Sequence, residues 1–463
     1  MTQKEMQSIL EIGTAISSEK DYNRLLEMIL NRIMELTHAD AGTLYLADGD
    51  LLRFKIMCNN TMHTCEGGDG KEPNLPPVRM SRENVCAMCY LENRTVCVEN
   101  VRTSTEYDFS SPVRYDAMTG YHPQSMLVVP MHNRQGERLG VIQLINAMDA
   151  AGNICAFPAD IIPAVESVAS QAAITIQNVL YIENIKELFE SFVRVMSSAV
   201  DERTPYNASH TRHMVEYGRH FIDYLNETAK AEGREPWFDA EHRHELLMSV
   251  WLHDIGKLVI PLEVMNKEAR LLPEQKSEIL HRFEKMRLLA QIACLKGAIS
   301  GEALEKRLEE LKQAGDTILR ANTAGFCPDD LREEICRIRE KTYTEEDGSE
   351  KPWLEEEEFQ MLMIRKGTLS EKERAVMESH VIITDKLLSE IRFSKELSHV
   401  REWAAGHHEL LNGSGYPEHL MAEQIPMEVR IITILDIFDA LVADDRPYKP
   451  GMPVEKALGI LDI

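Results

Sequence analysis

Five histidines and two aspartates carry the chemistry that this sequence offers. In Val250-Trp251-Leu252-His253-Asp254-Ile255-Gly256-Lys257 an imidazole stands beside a carboxylate. Adjacent nitrogen and oxygen donors of this kind can ligate one metal or lie across two. The apolar residues before them predict a buried helix, where a His-Asp pair needs a partner such as a metal. Gly256 is expected to let the chain turn tightly, so that Lys257 points a cation back at the pair. A His-Asp dipeptide alone is common. Here it is joined by His210 upstream and by His380, His407-His408-Glu409 and Asp436 downstream, each in an apolar helical context. The set His210, His253, Asp254, His380, His407, His408 and Asp436 exceeds one tetrahedral site. It suits two divalent transition metals bridged by a carboxylate, an arrangement suited to hydrolysis.

The elements that must position these residues are helical. After Pro205 the pattern is helical almost throughout, and residues 201–463 are expected to form an all-α bundle. Residues 269–366 are rich in Glu, Lys, Arg and Leu and predict an inserted helical hairpin standing off that bundle, with a solvated charged face as the simplest reading of its composition. Residues 165–200 predict one connecting helix, with an apolar stripe at Val168, Ala172, Val179, Ile182, Ile185, Phe189, Phe192 and Met196. That stripe suits either a parallel coiled coil across a homodimer or packing on its own domain; its continuity favours the first. Residues 18–164 read as α+β, an antiparallel sheet with flanking helices: a helix over 21–37, strands at Ala41–Leu46 and Leu51–Met57, and a hairpin of Ser125–Pro130 with Leu139–Ile145. Residues 1–17 predict a lead-in helix.

Two resemblances follow. The α+β segment, with QSMLVVPMHNRQGERLGVIQLINA, resembles a GAF domain, which implies a sensor for a small ligand of unknown identity. The C-terminal region is similar to the HD-GYP family: His253-Asp254-Ile255-Gly256-Lys257 matches its HD motif. His407-His408-Glu409 and Asn412-Gly413-Ser414-Gly415-Tyr416-Pro417 match its second motif, and Asp436 with Asp445-Arg446-Pro447-Tyr448-Lys449 its closing segment. The resemblance implies a phosphodiesterase cleaving cyclic di-GMP to linear pGpG, or on to GMP, at two metals, Fe or Mn. It makes His210, His253, Asp254, His380, His407, His408 and Asp436 the metal ligands, with Asp254 and Lys257 catalytic. Lys257 would hold a phosphate oxygen or assist proton transfer. Gly413, Gly415, Tyr416 and Pro417 would form a loop at the substrate, and Arg446 and Lys449 would contact phosphate. There are departures from the pattern. Asn412 stands where the family usually has aspartate, and Tyr206 where members with three metals place glutamate, which favours two metals. The chain also stops at Ile463, before the family domain normally ends, which reads as a truncation. Two other readings stay open: a module that binds cyclic di-GMP or a partner without turnover, and a hydrolase of another cyclic dinucleotide. The complete ligand set and Lys257 favour the enzyme.

Bulk properties narrow the partners. The net charge of −25 argues against a nucleic-acid polymer, which calls for a basic stripe. An acidic chain acting on a phosphodiester must neutralise it locally, and bound cations are the obvious means. No apolar run reaches the roughly 20 residues that span a bilayer, and MTQKEMQSIL is not a signal peptide, so no membrane insertion and a cytoplasmic location are expected. Nine cysteines lie without a paired framework, so free thiols or metal ligands are expected rather than disulfides. Cys86-Ala87-Met88-Cys89, near Cys58, Cys65 and Cys97, would suit zinc or iron–sulfur, with ordinary thiols the simpler reading. Asp116-Ala117-Met118-Thr119-Gly120-Tyr121 resembles part of the segment of nucleotide-binding GAF domains, but lacks the acidic residue expected after Asp116.

Overall fold

The structure is a computed structural model. It describes residues 15, 19, 21–68, 73–109, 116–117, 119–133, 135–203, 209–443 and 451–461. The lead-in helix expected over residues 1–17 lies outside them, Ala15 apart, as does Tyr206. The chain divides into two compact units, Met1–Leu188 and Phe189–Ile463.

In the first unit, α1 (Tyr22–Thr37) is capped by the Asp21 carboxylate, which accepts from the Arg24 amide at 2.9 Å. The strands that follow are β1 (Ala39–Asp48), β2 (Leu51–Asn59), β3 (Thr64–Gly67), β4 (Val78–Arg79), β5 (Val96–Val98), β6 (Met126–His132), β7 (Arg138–Met148) and β8 (Ile154–Cys155), with α2 (Val85–Glu92) between β4 and β5. They form one antiparallel sheet in the order β3-β2-β1-β7-β6-β5, with β4 beside β2 and β8 beside β7. The two-residue period of the strands sorts the core by face. Leu44 and Leu46 of β1 pack with Leu25, Ile29 and Ile33 of α1 on one side, and Tyr45 packs with Val85 and Met88 of α2 on the other.

The cysteine expectation fails at one pair. Cys58 and Cys65 are joined as a disulfide. The cause is local: β2 and β3 place them directly opposite in register, with Cα atoms 4.1 Å apart, a distance that composition does not disclose. Cys86 and Cys89 are buried in α2, and burial pushes the Cys86 thiol up to about 12. Buried thiols of this kind pack as small apolar side chains. Asp116 pairs with Arg102 and with His122.

A single helix, α3 (Ile162–Asp201), begins in the first unit and ends in the second. Its early part packs on the sheet, with Val168, Ala172 and Ile176 buried against α1. Every residue from 181 to 188 is exposed.

The second unit is helical apart from one small strand pair: α4 (His210–Ala231), α5 (Ala240–Leu252), a 3-10 turn (Ile255–Leu258), α6 (Leu262–Met265), α7 (Pro273–Leu295), α8 (Gly301–Thr323), α9 (Asp329–Arg339), β9 (Thr342–Thr344), β10 (Glu350–Pro352), α10 (Glu356–Leu362), α11 (Glu371–Glu378), α12 (His380–Ser389), α13 (Val400–Ala405), α14 (Met427–Val442) and α15 (Val454–Leu461). The charged segment is more than the hairpin expected. Elements α7 to α10 and the strand pair close on a core of Phe283, Ile335, Leu354 and Trp353, the last fully buried and edge-on to Phe283. Arg282 is clamped bidentately by Glu358 at 2.7 and 3.0 Å. The apolar residues of this core are widely spaced among surface charges, so composition reported the surface and missed the core.

Candidate metal centre

The ligand candidates come together at helix ends. His210 opens α4 and His380 opens α12; His253 follows α5, and His407 and His408 follow α13. Asp436 alone lies inside a helix, α14. The helix expected from the apolar residues before the pair is α5, which stops at Leu252, and Asp254 stands in the turn before the 3-10 segment.

Three of the rings are held by one device. The last turn of a helix leaves carbonyls without an intrahelical partner. The Nδ1 of His253 lies 2.7 Å from the Val250 carbonyl, that of His380 2.7 Å from Met377, and that of His407 2.7 Å from Ala404. In a neutral ring the nitrogen facing a carbonyl oxygen carries the proton, which leaves Nε2 its lone pair for a ligand. His380 Nε2 and His407 Nε2 face each other at 3.5 Å. The buried His253 Nε2 and Asp254 Oδ1 have no hydrogen-bond partner.

Asp254 sits among all of them. Its Oδ1 is 3.4 Å from His380 Nε2 and 3.8 Å from His407 Nε2. Its Oδ2 is 3.2 Å from His253 Nε2 and 3.9 Å from His210 Nε2. Asp436 reaches His210 Nε2 at 3.4 Å with one oxygen and His408 Nδ1 at 3.9 Å with the other. Both carboxylates therefore straddle two groups of imidazoles: His210, His253 and Asp254 in one, and His380, His407 and His408 in the other. Lone pairs converging on buried carboxylates are the donor set of divalent cations, and the residues fit them.

The electrostatics agree. Burial pushes Asp254 up, but its neighbours His253 and Lys257 outweigh it and hold the carboxyl well below its ordinary range. Burial, reinforced by Lys257, pushes His380 down to about 4, and burial holds His407 and His408 down as well. Those three rings are neutral, as ligands must be. His210 differs: burial would lower it, but Asp436 and Asp439 hold it at about 10.

Comparison with known proteins matches this architecture. Residues 21–176 match the family model for the GAF domain, and residues 357–462 match that for the HD domain. The chain carries a GAF domain and an HD domain. It is similar to the 3'3'-cGAMP-specific phosphodiesterase 3 of Vibrio cholerae, 39% identical over 22% of this chain and 21% of that protein. It is also similar to the cyclic di-GMP phosphodiesterase response regulator RpfG of Xanthomonas campestris pv. campestris, 40% identical over 22% of this chain and 26% of that one. A cyclic di-GMP phosphodiesterase of Thermotoga maritima is 38% identical over 21% of this chain and 26% of its own length. The matched segments span about a quarter or less of these relatives. Among solved structures, the GAF domain of an Acinetobacter phosphoenolpyruvate-protein phosphotransferase is 15% identical with a TM-score of 0.30, covering 40% of this chain and 99% of that one.

The matched HD segment leaves out His210, His253, Asp254 and Lys257, yet the structure brings all four to the residues within it. Lys257 Nζ lies 2.5 Å from Asp254 Oδ2. Gly256 is required by close approach rather than by turning: a Cβ there would stand 1.9 Å from the His380 carbonyl oxygen. Its amide donates to Thr384 Oγ1 at 3.0 Å, and that hydroxyl donates to the His253 carbonyl at 3.1 Å.

The Gly-Tyr-Pro loop borders the same centre. Gly413 takes a φ of +74°, and Gly415 lies against the His408 carbonyl and the Leu410 amide. The Tyr416 ring rests 4.8 Å from the His408 ring, and the Tyr416–Pro417 peptide is cis. Glu409 is buried and accepts the amides of Glu418 and Leu420, at 2.6 and 2.9 Å, which fastens the loop. Arg446 and Lys449 lie outside the described residues.

Two residues of the centre were missed as site residues in the sequence. Asp439 accepts from His210 Nδ1 at 2.6 Å, and Thr433 Oγ1 donates to the His407 carbonyl at 2.8 Å. Both lie within a turn of Asp436, at i+3 and i−3, where a second polar residue on the same helix face signals a supporting contact. Among the described residues no helix is long and apolar enough to cross a membrane.

Proposed function

We propose that this chain is a divalent-metal phosphodiesterase that hydrolyses cyclic di-GMP to linear pGpG, as its resemblance to the HD-GYP family implies. The observation carrying this reading is the pair of ligand groups, one containing Asp254 and the other approached by its Oδ1, with the Nδ1 of His253, His380 and His407 turned to backbone carbonyls. The relatives named as cyclic di-GMP phosphodiesterases support the substrate class.

His210, His253, Asp254, His380, His407, His408 and Asp436 would hold two cations, Fe or Mn. Bound divalent metals supply charge on the phosphoryl oxygens and acidify water near neutral pH. The chain's own part is positioning. Lys257, kept protonated by Asp254 against the opposing effect of burial, meets a non-bridging phosphate oxygen. Tyr416, with Gly413, Gly415 and Pro417, borders the substrate, and Arg446 and Lys449 add phosphate contacts. In the reaction a water oxygen bonds to phosphorus, the bond to the 3′ oxygen breaks, and the water's proton ends on that oxygen.

The GAF domain would regulate this step through α3 in a parallel homodimer. The seam is Tyr181, Ile185, Leu188, Phe192 and Val195, all exposed and spaced alternately by four and three residues.

The test is purified protein loaded with Fe(II) or Mn(II), given cyclic di-GMP, with products separated by chromatography. Formation of pGpG is expected, with 3′3′-cGAMP run in parallel because relatives specific for it exist. Binding of cyclic di-GMP without product would replace the enzyme with a binding module. Faster cleavage of 3′3′-cGAMP would reassign the substrate.

A further inference from the structure

The end of α3 and the residues that follow it touch two of the ligand-bearing segments, the one after Asp254 and the one at His210. Arg203 follows the helix without a break: its amide donates to the Val200 carbonyl at 3.1 Å, and the Glu202 amide to Ser198 at 2.9 Å. Its guanidinium then reaches across to the segment after Asp254. Nη1 donates to the carbonyls of Lys257, at 2.7 Å, and Leu258, and Nη2 donates to that of Ile260 at 3.0 Å. The first two of these carbonyls end a one-turn 3-10 helix, the third lies two residues beyond it, and a planar fork can serve several carbonyls at once. The Arg203 carbonyl is itself held by Asn266 Nδ2 at 3.2 Å. Two residues earlier, the buried Asp201 accepts from Thr211 Oγ1 at 3.0 Å, and Thr211 adjoins His210.

We propose that Arg203 is a positioning residue that fixes Lys257 relative to the metal centre and passes any displacement of the end of α3 to it. A shift of the helix end moves the guanidinium, the guanidinium moves the three carbonyls, and Lys257 lies within the turn that they close. No other step is needed to carry a signal along α3 into the site. This deepens the phosphodiesterase reading and rests on it for its catalytic consequence.

The experiment is a double-mutant cycle in the full chain, with Arg203→Gln, Lys257→Ala and the pair, each loaded with Mn(II) and assayed on cyclic di-GMP. Arg203→Gln is expected to keep the wild-type metal stoichiometry and KM and to lower kcat at least tenfold. Adding it to Lys257→Ala should change kcat less than twofold. Arg203→Lys, with charge but no fork, should fall between wild type and Arg203→Gln, and serves if the glutamine variant does not fold. Multiplicative effects of the two substitutions would overturn the proposal, since Arg203 would then act without Lys257. Amide hydrogen exchange of peptides covering residues 254–262 separates this from failure of the phosphodiesterase reading, because it needs no turnover. Faster exchange in Arg203→Gln than in wild type is expected, and unchanged exchange would sink the staple whatever the substrate proves to be.

Discussion

His210 and Asp439, 229 residues apart in sequence, share a 2.6 Å hydrogen bond through Nδ1. The rings of His253, His380 and His407 use a backbone carbonyl at Nδ1, whereas His210, at the first position of α4, uses a side chain. Asp439 takes that place. A carboxylate there fixes the tautomer, turns Nε2 toward Asp436 and Asp254, and makes the ring a stronger donor. Replacing it with asparagine keeps the volume and removes the charge. Asp439→Asn is expected to weaken binding of the more loosely held Mn(II) by roughly 10- to 100-fold, measured by competition with a chromophoric chelator. Unchanged affinity would reduce Asp439 to a packing residue.

Asp254 and Lys257 should separate metal binding from turnover. Asp254 stands among four imidazoles, so Asp254→Ala is expected to abolish both metal retention and hydrolysis. The Lys257 ammonium pairs with the Asp254 carboxylate and is not itself a metal ligand. Lys257→Ala is therefore expected to keep the wild-type metal content while kcat falls by roughly 10²- to 10³-fold, the scale for losing one preorganised charge at a reacting centre. Elemental analysis beside steady-state kinetics reads both, and full activity in Lys257→Ala would remove it from the reaction.

Gly256 and Gly315 offer a contrast within one domain. A Cβ on Gly256 would meet the His380 carbonyl at 1.9 Å and the Thr384 amide at 2.7 Å, both backbone atoms that cannot swing aside. A Cβ on Gly315, inside α8, meets nothing within 4 Å. Gly256→Ala is expected to lower the melting temperature and release metal, because the turn bearing Asp254 must part from α12. Gly315→Ala is expected to stabilise by about 0.5–1 kcal/mol through lower entropy of the unfolded chain and better helix propensity. Thermal melts of the two variants should move in opposite directions.

What was legible in the sequence was a set of ligand candidates, not their scaffolding. Histidine and aspartate in apolar surroundings are unusual enough to be picked out; the structure places six of the seven in two clusters and sets Asp436 3.4 Å from His210. Their place at helix ends was not legible, since an apolar run into His253 looks the same whether the helix continues or stops. Nor was the reason for Gly256, because the His380 carbonyl that excludes a side chain is distant in sequence. The strands of the GAF domain were readable from alternation, while the Cys58–Cys65 pairing depended on the register of two short strands. Arg203 gave no signal at all: an arginine beside a turn reads as a surface charge until the three carbonyls around it are seen.

The connecting helix is where sequence and structure differ most usefully. The apolar stripe read from Val168 to Met196 mixes two faces. Val168 and Ala172 are buried in the first unit, and Phe189 packs against the cluster of Met248 and Leu252 in the second. Tyr181, Ile185, Leu188, Phe192 and Val195 point away from both cores, with Ile185 65% and Leu188 70% exposed. Spacings of four and three keep these five on one side of a helix that supercoils with a partner, and seven residues restore their phase. Light scattering is expected to give a dimer for the whole chain and a monomer for the double variant Ile185→Glu, Leu188→Glu, since like charges would then face each other across the seam. Inserting two residues after Glu187 is expected to change kcat at least tenfold by rotating the end of α3 against the seam, whereas inserting seven should leave it within about twofold. A monomeric wild type would remove the seam, and activity indifferent to both insertions would remove the helix as a route for regulation.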